Sequence, residues 1–317
     1  MQSNTRPPVS RADFIRTAGL VTAGTLFFPR KIFAQESPVI TIINEAAKSP
    51  IVVQKLRGNI SVLQGSGGNI AVFTGPDGKL MVDAGIAVSE QKIKAAMAKI
   101  SNDPLKYLIN THWHFDHANG NPWVHQYGAT IIAQENTRKN LSTTIRVKDW
   151  DYTFEPLPAD GLPTIQFKQT HELDFNGTKI AMRYYNPAHT DCDISVRFPN
   201  VDIIHVADTW WNGYYPFIDH DSGGKLEGMI NASDYNLANT TNDTIIIPGH
   251  GPVGNRKQLK EFRDMLVLVR DRVYKLKKSG KTLAETVAAK PTADLDAKWG
   301  KFVLDGAFFT KLVYADV

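Results

Sequence analysis

The sequence contains a single cysteine, Cys192, in 317 residues. One thiol cannot form an intramolecular disulfide, so the fold must be stabilised by its core, for which a chain of this length is sufficient. The oxidising compartment expected for an exported protein also disfavours a cysteine-dependent mechanism. We therefore expect Cys192 to pack as a small apolar side chain and not to bind a metal.

The chain also lacks an excess of charge outside its first residues. The formal charge of +4 arises in residues 1–34, where 5 basic side chains stand against Asp13, and the remainder carries 31 basic and 31 acidic residues. This balance gives no excess of positive charge that would attract nucleic acid. We therefore expect a small-molecule substrate and no nucleic-acid partner. No later segment is long and apolar enough to span a bilayer, and the oligomeric state is not predicted.

Residues 1–34 are typical of an export signal. Basic residues precede an apolar run from Ala18 to Phe28, which has the length of a signal-peptide core and is too short to cross a bilayer. Residues 10–16 resemble a twin-arginine signal with Ala12 in place of the second arginine, so both the twin-arginine and the general secretory routes stay open. We expect cleavage after Ala34 and a periplasmic or secreted protein; the alternative is a retained amphipathic helix.

The densest group of metal-binding side chains lies in residues 112–117. Four of these six residues can bind a metal: His112, His114, Asp116 and His117. They follow residues 105–110, which are typical of a short buried strand, so the ligands lie where a strand meets a loop. His112 and His114 are two residues apart, so their side chains point the same way in an extended segment. Asp116 and His117 can face the opposite side of a turn. This spacing suits two ions better than one.

The pattern His-x-His-x-Asp-His resembles the signature of the metallo-β-lactamase superfamily, whose members complete a dinuclear site with a His, a bridging acidic or Cys residue and a last His. His189, Asp208 and His250 follow three predicted strands in that order. The resemblance implies these ligand sets: His112, His114 and His189 for one ion; Asp116, His117 and His250 for the other; and Asp208 as the bridge. Four histidines lack such a context and are interpreted as structural or surface residues: His125, His171, His205 and His220.

Imidazole and carboxylate ligands without thiolate suit two Zn²⁺ ions, with Fe or Mn as alternatives. The resemblance implies that a water between the ions becomes hydroxide near neutral pH and that the ions polarise a carbonyl group. Asp116 can accept a hydrogen bond from this hydroxide and orient it, which makes Asp116 the candidate catalytic residue.

The bridging position indicates the branch of the family. True metallo-β-lactamases usually have Cys or Ser where Asp208 stands, whereas Asp resembles glyoxalase II and lactonases. Many β-lactamases also place a Lys or Ser shortly afterwards to grip the drug's carboxylate, where this chain has Trp210 and Trp211. We predict hydrolysis of an ester, lactone, thioester or cyclic amide, with β-lactam hydrolysis as an alternative. Less favoured hypotheses are an iron-dependent sulfur dioxygenase, a phosphodiesterase or nuclease, and a non-catalytic zinc-binding protein.

Further side chains are expected near the ions. Asp83 ends a predicted strand in an Asp-x-Gly sequence, where it either orients a ligand histidine or forms a turn. Trp210, Trp211 and Tyr214 lie in an aromatic segment that either walls the substrate pocket or packs as a loop over the sheet edge. Two adjacent tryptophans cannot both face inward from an extended chain.

The element pattern predicts an α+β fold, a four-layer αββα sandwich with the site at one edge between the sheets. We expect one domain, residues 38–317, built of two β-rich halves at about 38–150 and 164–317. Strands are expected at 39–43 and 51–53, a helix at 135–147, and a linker at 150–163. Hairpin turns are expected at 75–78 and 176–177, and the two clearest helices span 89–100 and 256–278.

Export predicts that the mature protein lacks about the first 34 residues. The intact mass of protein recovered from the periplasm or medium should correspond to cleavage near Ala34. Retention of Met1 in a cytoplasmic protein would contradict both the signal and the expected location.

Overall fold

The computed structural model of the protein describes residues 37–317, so the predicted signal lies outside the described residues. The strands are β1 (Val52–Lys55), β2 (Ile60–Gln64), β3 (Ile70–Gly75), β4 (Gly78–Val82), β5 (Leu105–Ile109), β6 (Thr130–Gln134), β7 (Ile145–Val147), β8 (Tyr152–Phe154), β9 (Ile165–Phe167), β10 (Thr170–Phe175), β11 (Thr178–Tyr184), β12 (Ile194–Phe198), β13 (Ile203–Trp211) and β14 (Ile245–His250). The α-helices are α1 (Pro38–Lys48), α2 (Glu90–Ile100), α3 (Phe115–Ala118), α4 (Asn121–Gln126), α5 (Glu135–Leu141), α6 (Leu226–Ala238), α7 (Arg256–Lys278), α8 (Leu283–Ala288), α9 (Asp296–Trp299) and α10 (Gly306–Asp316).

Two sheets carry the fold. The first has seven strands in the order β1-β2-β3-β4-β5-β6-β9, and the second has five in the order β10-β11-β12-β13-β14. Each combines antiparallel hairpins with parallel pairs, which run from β4 through β5 and β6 to β9 in the first sheet and join β13 to β14 in the second. The chain passes from the first sheet to the second between β9 and β10. Strand β9 therefore belongs to the first sheet, although it lies within the range expected for the second half.

Alternation of side chains along the strands separates the layers. Leu80 and Val82 of β4 join the core between the two sheets, whereas Met81 packs outward with helices α2 and α4. In β13, Ile203 faces the inter-sheet core and Ile204 faces the outer core that contains helices α6, α7 and α10. Because a strand presents successive residues to opposite faces, each sheet has buried side chains on both of its faces. The predicted four-layer αββα sandwich is confirmed.

The strand expected at 39–43 is wrong, because these residues belong to helix α1. The Ser37 hydroxyl accepts a hydrogen bond from the Val39 amide, and Pro38 occupies the first helical turn. Val39, Ile42 and Ala46 are buried on one face at helical spacing. The β-branched residues suggested a strand, but capping and tertiary burial outweigh their weak intrinsic preference.

The helix expected at 135–147 ends at Leu141. Beyond it, the Ser142 hydroxyl and the Thr143 hydroxyl both donate to the carbonyl of Lys139, a competition with backbone hydrogen bonding that favours a helix end. Residues 145–147 form strand β7, which pairs with β8 inside the expected linker. The expected linker therefore contributes one strand of a hairpin, and the other strand precedes it.

Other expected elements are confirmed. The turns at 75–78 and 176–177 join β3 to β4 and β10 to β11, and helices α2 and α7 match their expected ranges within one residue. A capping box formed by Asn255 and Gln258 begins α7. Ser89 precedes α2 without capping it, since its hydroxyl donates to the carbonyl of Ala46. Among the helices between residues 37 and 317, none has the length and apolarity of a membrane span.

Candidate metal centre

The candidate ligands are brought together at one edge of the sandwich. Residues 112–117 follow β5, and helix α3 begins directly after His114. His189 lies in the loop between β11 and β12, and His250 is the last residue of β14. Asp208 lies within β13, which is longer than expected because a register shift around Ala207, whose φ is 46°, lets the strand continue past it.

The seven candidate ligands form two buried clusters. The first consists of His112, His114, His189 and Asp208, the second of Asp116, His117 and His250, and within each cluster the ligand atoms lie within 4.8 Å of one another. All seven side chains predicted from the sequence are therefore brought together in the two sets that the family resemblance implies.

Asp208 lies between the clusters. Its Oδ1 is 3.0 Å from His117 Nε2, and its Oδ2 is 3.2 Å from His250 Nε2 and 3.4 Å from His189 Nε2. One carboxylate thus reaches imidazoles of both clusters, as a bridging ligand must.

Several inward-facing atoms have no hydrogen-bond partner among the described residues. They include His112 Nε2, His117 Nε2 and Asp208 Oδ1. The last two are 3.0 Å apart, but their orientation is not that of a hydrogen bond. Unpaired buried polar atoms cost about 1–3 kcal/mol each, and a bound cation would satisfy them. The donor set and these unpaired atoms fit a pair of metal ions with nitrogen and oxygen ligands.

The opposite nitrogens of these rings are held by other groups. Asp83 Oδ2 is 2.7 Å from His117 Nδ1 and accepts a hydrogen bond from the Thr111 hydroxyl. The carbonyl oxygen of Phe217 is 2.7 Å from His189 Nδ1. Such contacts fix the ring tautomer and direct the free nitrogen toward a metal. Asp83 therefore contacts a ligand histidine, and with a φ of 65° it also turns the chain after β4.

The histidines differ in their affinity for protons. Burial lowers the pKa of His189 to about 4 and holds that of His112 well below its usual value. Burial also acts against protonation of His250, but the carboxylates of Asp208 and Asp116 outweigh it and raise the pKa of His250 to about 9. In the absence of a cation, protons at neutral pH therefore collect beside the carboxylates, and metal binding must displace them.

A pocket opens onto the second cluster. Gly67, Asp116, Asp208 and His250 line its floor, and apolar side chains form its walls: Ile42, Trp150, Trp211, Phe302 and Val303. No lysine or arginine is among these lining residues. The pocket therefore offers carboxylate and imidazole groups below and apolar contact around them.

Of the three aromatic residues expected at the pocket, only Trp211 lines it. Trp210 is fully buried in the outer core, because adjacent residues of strand β13 point to opposite faces. Tyr214 does not line the pocket but stacks on the wall residue Phe302, with ring centroids 4.8 Å apart.

A family model described as the metallo-β-lactamase superfamily matches residues 63–274, more than half of the chain. The chain belongs to this superfamily. The expected family and fold are confirmed, and so is a metal-dependent hydrolase at the level of the family. Which reaction this member catalyses is a separate question.

Named relatives include both sulfatases and β-lactamases. The linear primary-alkylsulfatase of Pseudomonas sp. (strain ATCC 19151) is 23% identical over 248 residues, which cover 66% of this chain and 47% of that protein. The structure of a stereoselective inverting sec-alkylsulfatase from Pseudomonas sp. matches with a TM-score of 0.63 and 14% identity over 89% of this chain and 53% of that one. The DIM-1 metallo-β-lactamase structure matches with a TM-score of 0.55 and 18% identity over 68% of this chain and 97% of that one. This superfamily member thus spans about half the length of the alkylsulfatases.

Two aspartates that support the site escaped sequence reasoning. Asp219 Oδ2 is 2.9 Å from His114 Nε2 and accepts a hydrogen bond from the Ser222 hydroxyl. Asp193 accepts hydrogen bonds from the amide and hydroxyl of Thr190 and so shapes the loop that carries His189; burial raises the pKa of Asp193 to about 8. In the sequence, these two aspartates showed only the general preference of aspartate for turns. That preference does not indicate a contact with a histidine far away in the chain.

Two of the histidines expected to have structural roles have partners outside the seven candidate ligands. His205 is buried, with its Nε2 3.0 Å from the carbonyl oxygen of Asn69. His220 Nε2 lies 3.1 Å from a carboxylate oxygen of Asp316. Cys192 is fully buried and belongs to the outer apolar core, as expected for a small apolar side chain.

A glycine loop presses against the second cluster. The Gly68 amide donates to the carbonyl of Asp116, and the Asn69 amide donates to the carbonyl of Gly249, next to His250. A Cβ at Gly68 would lie 2.1 Å from His117 Cε1, closer than any real contact. Glycine is therefore required where this loop packs on a candidate ligand.

We predict that Gly68→Ala displaces His117 and weakens metal binding at the second cluster selectively, so that the metal content per chain falls below that of the wild type. Elemental analysis of the purified protein measures this. Gly177→Ala is the control: a Cβ there meets no atom within 4 Å, and its φ of 70° adds backbone strain in a hairpin remote from the ligands, so it measures general destabilisation without displacement of a ligand. Two tightly bound ions in Gly68→Ala would show that the loop does not constrain His117.

Proposed function

We propose that this chain is a dinuclear zinc hydrolase that cleaves an ester, lactone, thioester or cyclic amide bond. The observation that carries the proposal is the position of Asp208 between two buried clusters with unpaired ligand atoms. When bound, two such ions would lower the pKa of a water and polarise the bond to be cleaved. Nitrogen and oxygen ligands without thiolate favour zinc, with Fe or Mn as alternatives.

Asp116 is the candidate catalytic residue among the chain's own groups. It lines the pocket floor, and its Oδ2 is 3.3 Å from His250 Nε2. Burial acts to raise the pKa of Asp116, but His117 and the hydrogen bond with His250 outweigh burial and lower it. Asp116 is therefore an ionised acceptor at neutral pH, suited to hold a proton of the attacking water and orient it.

The pocket walls indicate the kind of substrate. Ile42, Trp150 and Phe302 offer apolar contact, and no basic side chain is present among the lining residues to pair with a carboxylate. Apolar walls also exclude bulk water from the reacting bond. A substrate with an apolar body is therefore favoured over a β-lactam, whose carboxylate would need a cationic partner.

Hydrolysis of an alkyl sulfate ester is a second candidate. Two observations favour it: the likeness to alkylsulfatases over most of this chain and the apolar pocket walls, which would accommodate an alkyl tail. In this reading the anionic sulfate lies over the ligand clusters, where bound cations would neutralise it. We further propose, from the N-terminal sequence, that the enzyme acts in the periplasm or outside the cell.

The first test is metal content together with a substrate panel. Purified protein should contain close to two zinc ions per chain and hydrolyse one or more of a lactone, an aryl ester, a thioester and an alkyl sulfate faster than a β-lactam. Removal of zinc by a chelator should abolish activity, and zinc should restore it. A stoichiometry of one ion that added zinc does not change would overturn the two-ion site.

The second test replaces the central carboxylate. Asp208→Ala leaves three candidate ligands in each cluster, so zinc binding should persist while activity falls further than zinc content. A misplacement of about 1 Å can cost roughly a hundredfold in rate. Asp208→Cys should retain both ions, since thiolate also binds zinc. Zinc content and hydrolysis rate of both variants on one substrate provide the measurement, and full activity in Asp208→Ala would rule out a bridging role.

A further inference from the structure

Trp211 makes a direct contact with the carboxylate that lies between the two clusters. Its indole Nε1–H donates to Asp208 Oδ2 over 3.0 Å. Both side chains are buried, with exposed fractions of 3% for Trp211 and 1% for Asp208. A buried hydrogen bond to an ionised acceptor is among the stronger kinds in proteins, so this contact restricts rotation of the carboxylate.

The bond divides the two oxygens of Asp208 between different tasks. Oδ2 accepts the hydrogen bond from the indole N–H. Oδ1 has no hydrogen-bond partner among the described residues and lies 3.0 Å from His117 Nε2. Without the indole donor, the carboxylate could rotate and offer either oxygen to a neighbouring imidazole. The indole group therefore favours one rotation of the carboxylate, in which Oδ1 faces His117 of the second cluster and Oδ2 faces His189 of the first.

The indole ring also contacts the second cluster. Its centroid is 4.4 Å from that of His250, at an angle of 55° between the ring planes. The same ring forms part of the pocket wall. One side chain thus touches the central carboxylate, a ligand of the second cluster and the space open to substrate.

We infer that Trp211 is a positioning residue that fixes Asp208 for simultaneous binding of two ions. This role deepens the two-ion function proposed above and rests on it. In this role the indole N–H orients the Asp208 carboxylate, whereas a residue that only forms an apolar wall needs no hydrogen-bond donor. Supporting groups of this kind typically change metal affinity by about 10–100-fold when they are removed.

The adjacent Trp210 provides a matched control. It is fully buried and packs in the outer apolar core, and as a neighbour of Trp211 in strand β13 it points to the opposite face of the sheet. Its Nε1 has no hydrogen-bond partner among the described residues. Trp210→Phe and Trp211→Phe therefore remove the same atoms from neighbouring buried positions, and only the second loses a hydrogen bond to a candidate ligand.

The experiment measures zinc affinity of the wild type and both variants by competition with a chromophoric chelator. Trp211→Phe should weaken the more weakly bound zinc about tenfold or more, whereas Trp210→Phe should bind zinc as the wild type does. The melting temperature of the zinc-free proteins reports any purely structural loss. Equal zinc affinities in the two variants would overturn the inference and leave Trp211 as a wall residue.

A measurement on the unmodified protein covers the case in which Trp211→Phe does not fold. In the wild type, zinc addition should shift the assigned indole N–H resonance of Trp211 in a nitrogen-15 NMR spectrum and leave that of Trp210 in place. An unchanged Trp211 resonance on saturation with zinc would also overturn the inference. Failure of the wild type to bind a second zinc would instead overturn the proposed two-ion function.

Discussion

The organisation of the site follows from the burial of several ionisable side chains that face one another, some of whose ligand atoms have no hydrogen-bond partner among the described residues. Asp208 carries a carboxylate into a fully buried position, where burial by itself would raise its pKa. The surrounding histidines, His250 first among them, outweigh burial and hold the pKa well below its usual range. A buried carboxylate is tolerated only with compensating positive charge. Protons on the histidines supply that charge when no metal is bound, and metal ions would supply it otherwise.

A second layer of contacts fixes the histidines from outside. Asp83 holds His117, Asp219 holds His114, and the carbonyl of Phe217 holds His189. These groups come from different parts of the chain, and each occupies the ring nitrogen that faces away from the cluster. Because neither the ligands nor their partners can rotate freely, the arrangement is preorganised for cations of fixed spacing.

The two sheets contribute unequally to the environment of the substrate. The first sheet supplies residues 112–117 and the loop that contains Gly68, whereas the second sheet supplies Asp208, Trp211 and His250. Hydrogen bonds between the sheets fix the relative positions of the two groups of ligands. In one of them, the Asn69 amide donates to the carbonyl of Gly249. Most of the pocket walls come from outside both sheets, from helix α1, Trp150 and residues 302–303, and Trp211 of β13 completes them. Specificity can therefore vary with these peripheral segments while the ligand geometry stays constant.

The sequence by itself determined the sheet sandwich and most elements, because strand periodicity is local, and its resemblance to the family identified the seven candidate ligands at or near the ends of apolar strands. It placed Trp210 and Trp211 on opposite faces for the same reason, but not which of them reaches the pocket. Only the tertiary structure decided that α1 is a helix, that Asp219 and Asp193 support the ligand loops, and that the indole of Trp211 bonds to Asp208. These features depend on contacts between residues far apart in the chain or on burial against other elements, and local propensity carries no information about such contacts.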